Sequence, residues 1–185
     1  MKHHLKLNDS YEFTAENNDQ FLIRKCQRDD ILQVHYLEHK IDPDNPASVK
    51  VLKSRLDIFN DGFLIVTNTN GTVVGYIHSI LLNDFHFTCF EEISNFSEHF
   101  NNNGNTLYIN FLGVSDNYRN LGIALFLLQH IEMIAKYYNV IKLKLVSKHN
   151  VQNLYKKFGF KSIMALPEFI KNKKYPGVLM EKRLI

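Results

Sequence analysis

Residues 106–129 read TLYINFLGVSDNYRNLGIALFLLQ. The opening run, 106–114, is almost wholly apolar or aromatic and lies between the polar cluster 101–105 and Ser115-Asp116-Asn117, the pattern of a buried strand. Beyond the turn, Ala124, Leu127, Leu128, Ile131 and Ala135 fall on one face of a helix over 121–138, with Gln129, Glu132 and Lys136 on the other. Between strand and helix stand Arg119, Asn120, Leu121, Gly122, Ile123 and Ala124. A helix leaves its first backbone N–H groups outside its own ladder, and its dipole favours negative charge at that end. Gly122 and Ala124 let a ligand approach the backbone, and Arg119 adds charge-assisted hydrogen bonds to phosphate oxygens. The stretch therefore predicts an anion site at a strand-to-helix turn.

The rest of the chain fits around that unit. A length of 185 residues suits one domain with a single sizeable core, and 45% hydrophobic with 22% charged residues is an ordinary globular composition. A net charge of +3 is too small to argue for nucleic acid as the main partner. Two cysteines, Cys26 and Cys89, make no disulfide framework, so a reducing, cytoplasmic setting is expected, with no metal site. The longest apolar run, 123–128, is far below the ~20 residues of a membrane span, and the opening residues lack the apolar core of a secretory leader.

In chain order, residues 1–19 are polar and aperiodic and read as a flexible arm; 20–185 read as one domain. Strands are expected at 21–25, 63–67, 72–82, 106–114, 141–145, 160–165 and 178–184, and helices at 31–39, 47–59, 121–138 and 151–158. The Asn70-Gly71 pair marks a hairpin, and Gly159 a helix C-terminus. Residues 83–105 form a long insertion with a short helix ending near Phe100. The expected architecture is α/β: a mixed sheet of six to seven strands flanked by about four helices.

The pattern V-x-x-x-x-R-x-x-G-x-A, here Val114, Arg119, Gly122 and Ala124, resembles the acetyl-coenzyme A pyrophosphate loop of the GNAT (Gcn5-related) N-acetyltransferases, and NLYKKFGF at 153–160 resembles a second segment of that family. The resemblance implies the GNAT fold and acetyl transfer from acetyl-coenzyme A to a primary amine, without a metal. It implies that the backbone of 119–124 holds the pyrophosphate, that Leu112, Gly113 and Val114 line the pantetheine arm, and that Asn150 lies near the donor. Gly113, which weakens a strand interior, fits a bulge or a close ligand approach. Tyr155 aligns with the family tyrosine that protonates the departing thiolate; a phenol pKa of about 10 suits that role.

The chain departs from the family where relatives carry a glutamate or histidines on the central strand: it has Tyr108 and Asn110. Asparagine takes up no proton but orients a water that relays one. His86, Glu91 and Glu92 of the insertion, and Asn150 or His149 near the end of the next strand, are further candidates for the base, while His78 reads as structural. Phe85 and Phe87 of the insertion, with Tyr108, offer an apolar wall for an acceptor, a loose likeness to the arylalkylamine branch. The leading expectation is a small-molecule amine as acceptor; a protein N-terminus or lysine, and a non-catalytic acyl-coenzyme A sensor, are the alternatives. A homodimer is implied by the resemblance alone. Neither a G-x-x-x-x-G-K-S/T loop nor a G-x-G-x-x-G turn occurs.

Overall fold

The computed structural model describes residues 10–84, 96–166 and 177–184. Its strands are β1 (Tyr11–Thr14), β2 (Gln20–Lys25), β3 (Phe63–Asn68), β4 (Val73–Leu82), β5 (Thr106–Val114), β6 (Lys142–Lys148), β7 (Lys161–Leu166) and β8 (Gly177–Arg183). Its helices are α1 (Ile31–Ile41), α2 (Val49–Ile58), the single turn α3 (Phe96–His99), α4 (Ile123–Tyr137) and α5 (Gln152–Lys157). The strand order is β1-β2-β3-β4-β5-β6-β8-β7, with β5 and β6 parallel and the other recorded pairs antiparallel. The sheet has eight strands rather than six to seven. The additional strand is β1, from the segment expected to be a flexible arm; residues 1–9 of that arm lie outside the described residues.

Contacts divide the chain into two units, 1–78 with 111–130 and 79–110 with 131–185. In the first, β1 and β2 form a hairpin in register Tyr11↔Ile23 to Thr14↔Gln20, closed by Asn18 in the left-handed region at φ 67°. Arg24 at the end of β2 grips both carboxylate oxygens of Asp30, at 2.6 and 2.8 Å, and so fixes the start of α1. Helix α2 starts from Ser48, whose hydroxyl accepts from the Val51 N–H at 3.3 Å. The apolar stripes of α1 (Ile31, Val34, Leu37) and α2 (Leu52, Leu56) are buried with Cys26, Phe63, Ile65, Val73 and Tyr76 in one core. Burial pushes the Cys26 thiol up to about 12, so this free cysteine packs as an inert apolar group.

In the second unit, β6 is flanked by β5, from Thr106↔Lys142 to Ile109↔Leu145, and by β8, from Lys142↔Arg183 to Lys148↔Gly177. Lys142 and Lys144 both pair with Asp84, and Glu181 lies at 3.9 and 3.8 Å from them. Buried charges survive only in such company. The insertion rejoins the sheet through a Leu82↔Phe100 bridge, and a Cβ at Gly104 would stand 2.6 Å from the carbonyl oxygen of Leu82. Gly159, at φ 95°, ends α5 as expected.

Candidate active site

The turn after β5 is set by backbone conformation. The Ser115 N–H donates to the Val74 carbonyl at 2.8 Å, and a 3-10 turn, Asp116–Tyr118, brings the Tyr118 hydroxyl to accept from Asn68 Nδ2 at 3.1 Å. Asn120 and Gly122 then adopt positive φ, 62° and 82°. Alternation into the left-handed region turns successive N–H groups inward, the geometry of an anion-binding nest. The α4 ladder begins with Phe126 N–H donating to the Gly122 carbonyl at 3.0 Å, which leaves the N–H groups of 123–125 outside it. Ile123 is buried, its Cγ2 3.1 Å from where a Cβ on Gly75 would stand. Gly75 is thus the residue that admits the start of α4 to β4, and the sequence reading did not single it out.

Arg119 is more than half exposed and paired with Asp116 at 2.6 Å. An exposed pair of this kind is weak, so the guanidinium can exchange Asp116 for a phosphate oxygen at little cost. Leu112 and Val114 are half-buried, Leu121 and Ala124 likewise, and Asn120 is exposed. Gly113 is buried and lacks positive φ; a Cβ there would fall 2.6 Å from Phe111 Cε1 and 2.8 Å from Ile41 Cδ1. Side chains of its own unit fill the space beside it.

The candidates for proton handling are arranged by burial. Tyr108 lies within the β5–β6 ladder, and Val146, the first β6 residue past that ladder, gives its N–H to the Tyr108 hydroxyl. Burial, with Tyr155 nearby, raises the Tyr108 phenol far above its usual range. Tyr108 is therefore a core residue at the point where the parallel pairing ends, and Asn110, half-buried, follows it. Tyr155 on α5 is buried, its ring edge-on to Phe160 at 5.9 Å, and burial lifts its pKa to about 12. Asn150 is exposed in the turn before α5. Phe85, Phe87, His86, Glu91 and Glu92 lie outside the described residues, as does the His149 side chain. Among the described residues no group of three His, Cys, Asp or Glu side chains is placed to hold a metal ion.

The acetyltransferase (GNAT) family model matches residues 30–160, most of the chain and both of the segments above. The protein belongs to the GNAT acetyltransferase family. Solved structures give the same fold at low identity. The loading GNATL domain of CurA from Lyngbya majuscula is 16% identical, with a TM-score of 0.75 over 88% of this chain and 97% of that one. Ard1 from Thermoplasma volcanium is 16% identical, TM-score 0.69, covering 89% and 98%. Arabidopsis thaliana Naa50, solved with the bisubstrate analogue CoA-Ac-MVNAL, is 19% identical, TM-score 0.67, covering 88% and 97%. No curated protein matches the sequence. The matched range takes in β3 to β6 and the helices between them; β1, β2, β7 and β8 fall outside it.

Proposed function

We propose that this GNAT protein transfers the acetyl group of acetyl-coenzyme A to a primary amine. The observation that carries the reading is the pair of left-handed residues, Asn120 and Gly122, immediately before α4. Together with the first-turn N–H groups and Arg119, they fit the two negative charges of a diphosphate. Leu112, Gly113 and Val114 line the arm of the donor, and Asn150 contributes from the turn before α5.

In the reaction the uncharged amine nitrogen attacks the thioester carbon, the carbon–sulfur bond breaks, and the sulfur leaves as a thiolate that takes the Tyr155 proton. The amine's surplus proton leaves through a water oriented by Asn110, and a proton returned from water restores the Tyr155 phenol. Burial suits Tyr155 to the first task, because a phenol with a pKa near 12 is fully protonated at neutral pH. Burial also makes the phenolate costly, so the proton must pass to sulfur in concert with bond cleavage rather than before it.

A small-molecule amine is the first reading for the acceptor, and a homodimer in the cytoplasm is the setting that goes with it. A peptide N-terminus is the second, favoured by the likeness to Naa50 in its complex with CoA-Ac-MVNAL. The deciding experiment follows thiol release from acetyl-coenzyme A with a panel of small primary amines and a panel of short peptides, for the wild type and Tyr155→Phe. Turnover with one panel, lowered by the substitution, supports the proposal and selects the acceptor class. Absence of turnover with both panels, despite donor binding, favours the sensor reading.

A further inference from the structure

A strand that the sequence reading did not predict lies against the candidate donor loop. Phe13 of β1 has its ring Cζ 3.2 Å from the position a Cβ would take on Gly122, and among the described residues, the two chain neighbours of Gly122 aside, no other side chain comes within 4 Å of that position. The ring is fixed from both sides: it stacks on Phe126 of α4 at 4.7 Å and on Phe21 of β2 at 6.1 Å. Phe126 in turn meets His130 edge-on at 4.4 Å, His130 meets Tyr11 of β1 at 4.8 Å, and the His130 ring is oriented by a 2.8 Å bond to the Phe126 carbonyl. Aromatic contacts of this kind stabilise beyond the area they bury.

We infer that Phe13 is a positioning residue for the donor: its ring is the wall that holds the Gly122 backbone in its left-handed conformation, and it sets donor affinity through that backbone. Three observations carry this. Gly122 has no side chain of its own to restrain the turn, and at φ 82° it occupies a region that glycine leaves as readily as it enters. The ring supplies from outside the contact that the missing side chain does not. Finally, β1 is only four residues long and its recorded pairing is with β2 alone, so a large share of what ties it down is the aromatic stack on α4. A preorganised loop binds an anion more tightly because less ordering remains to be done on binding.

The inference rests on 119–124 holding the diphosphate, and the test separates the two. Coenzyme A is titrated calorimetrically into the full-length wild type, Phe13→Ala, Phe13→Leu and Tyr11→Ala, each first checked for folding by circular dichroism. Phe13→Ala is expected to raise the Kd roughly tenfold, to raise the donor KM in step, and to leave kcat at saturating donor unchanged. Tyr11→Ala loosens the same strand through His130 but leaves the Phe13 ring beside Gly122, so its Kd should stay within about twofold of the wild type. Phe13→Leu ends short of the ring atom that meets Gly122; it should also weaken binding, and it carries the test if Phe13→Ala does not fold. A folded Phe13 variant with wild-type affinity overturns the inference while leaving the donor site intact. Equal losses for Tyr11→Ala and Phe13→Ala overturn it too, by assigning the effect to the strand. Absence of coenzyme A binding by the wild type removes the donor site itself, and this inference with it.

Discussion

The proposed donor loop and the tyrosine pair are built on opposite physical principles. The loop at 119–124 gets its character from backbone torsions: two residues at positive φ, small side chains, and an arginine lying out in solvent. Tyr108 and Tyr155 get theirs from burial: both are buried, and both phenols are raised because water is excluded. A torsional site is specified by the residues that form it and the single wall, Phe13, set against it, whereas a buried site is specified by everything packed around it. The first should therefore fail by local substitution with the fold intact, and the second should couple function to stability.

The largest expected effect is on turnover. Tyr155→Phe removes the proposed proton donor but keeps the ring against Phe160, so kcat should fall about a hundredfold with the donor Kd nearly unchanged. Steady-state kinetics beside a donor titration checks this; a parallel loss of affinity would mean that the two regions are not separable. Next comes Gly113→Ala, where Phe111 and Ile41 must move. Urea unfolding should show a loss of about 1–3 kcal/mol, the usual cost of overpacking. If stability is unchanged, Gly113 is there for a ligand and not for packing. Tyr108→Phe deprives the Val146 N–H of its recorded acceptor and should cost about 1–3 kcal/mol by the same measurement.

The smallest effect concerns acid. His78 of β4 is fully buried, edge-on to Phe63 at 5.2 Å, and its Nδ1 has no hydrogen-bond partner among the described residues. Burial first, and the Arg55 charge second, hold its pKa well below the usual value. The unfolded chain protonates this histidine at about pH 6.5 while the folded one does not, so the unfolded state binds more protons below that pH. Stability is fully present above about pH 6.5 and is lost as pH falls from there toward the folded pKa. His130, lowered by burial against its bond to Phe126, adds a smaller loss of the same sign. Melting temperatures of the wild type and His78→Leu between pH 7.5 and 5 should differ in slope, the variant being flatter; parallel curves would contradict the assignment.

Where local torsion or periodicity dictates structure, the residues themselves announced it. The strand-turn-helix at 106–129, the hairpin at Asn70-Gly71 and the Gly159 stop all lie where composition places them, and the family and fold followed from the same stretch. β1 was missed because its alternation amounts to Tyr11 and Phe13 inside a polar segment, too short to stand out from a loop. Its partners, Phe126 and His130, are more than a hundred residues away and join it only in the folded chain. Gly113 was legible only in part, for a related reason. A glycine in a strand announces that something comes close, but not that Phe111 and Ile41 stand beside it. The burial that raises Tyr155 comes likewise from its tertiary surroundings and leaves no mark in NLYKKFGF.

The central claim, that backbone groups at 119–124 hold the diphosphate of the donor, is tested most directly by calorimetric titration of acetyl-coenzyme A into the wild type and Gly122→Val. A β-branched residue at positive φ is strained by about 1–2 kcal/mol and meets the Phe13 ring. The account predicts binding by the wild type and a Kd raised at least tenfold in a variant that still folds. Equal affinity in the two proteins would contradict it.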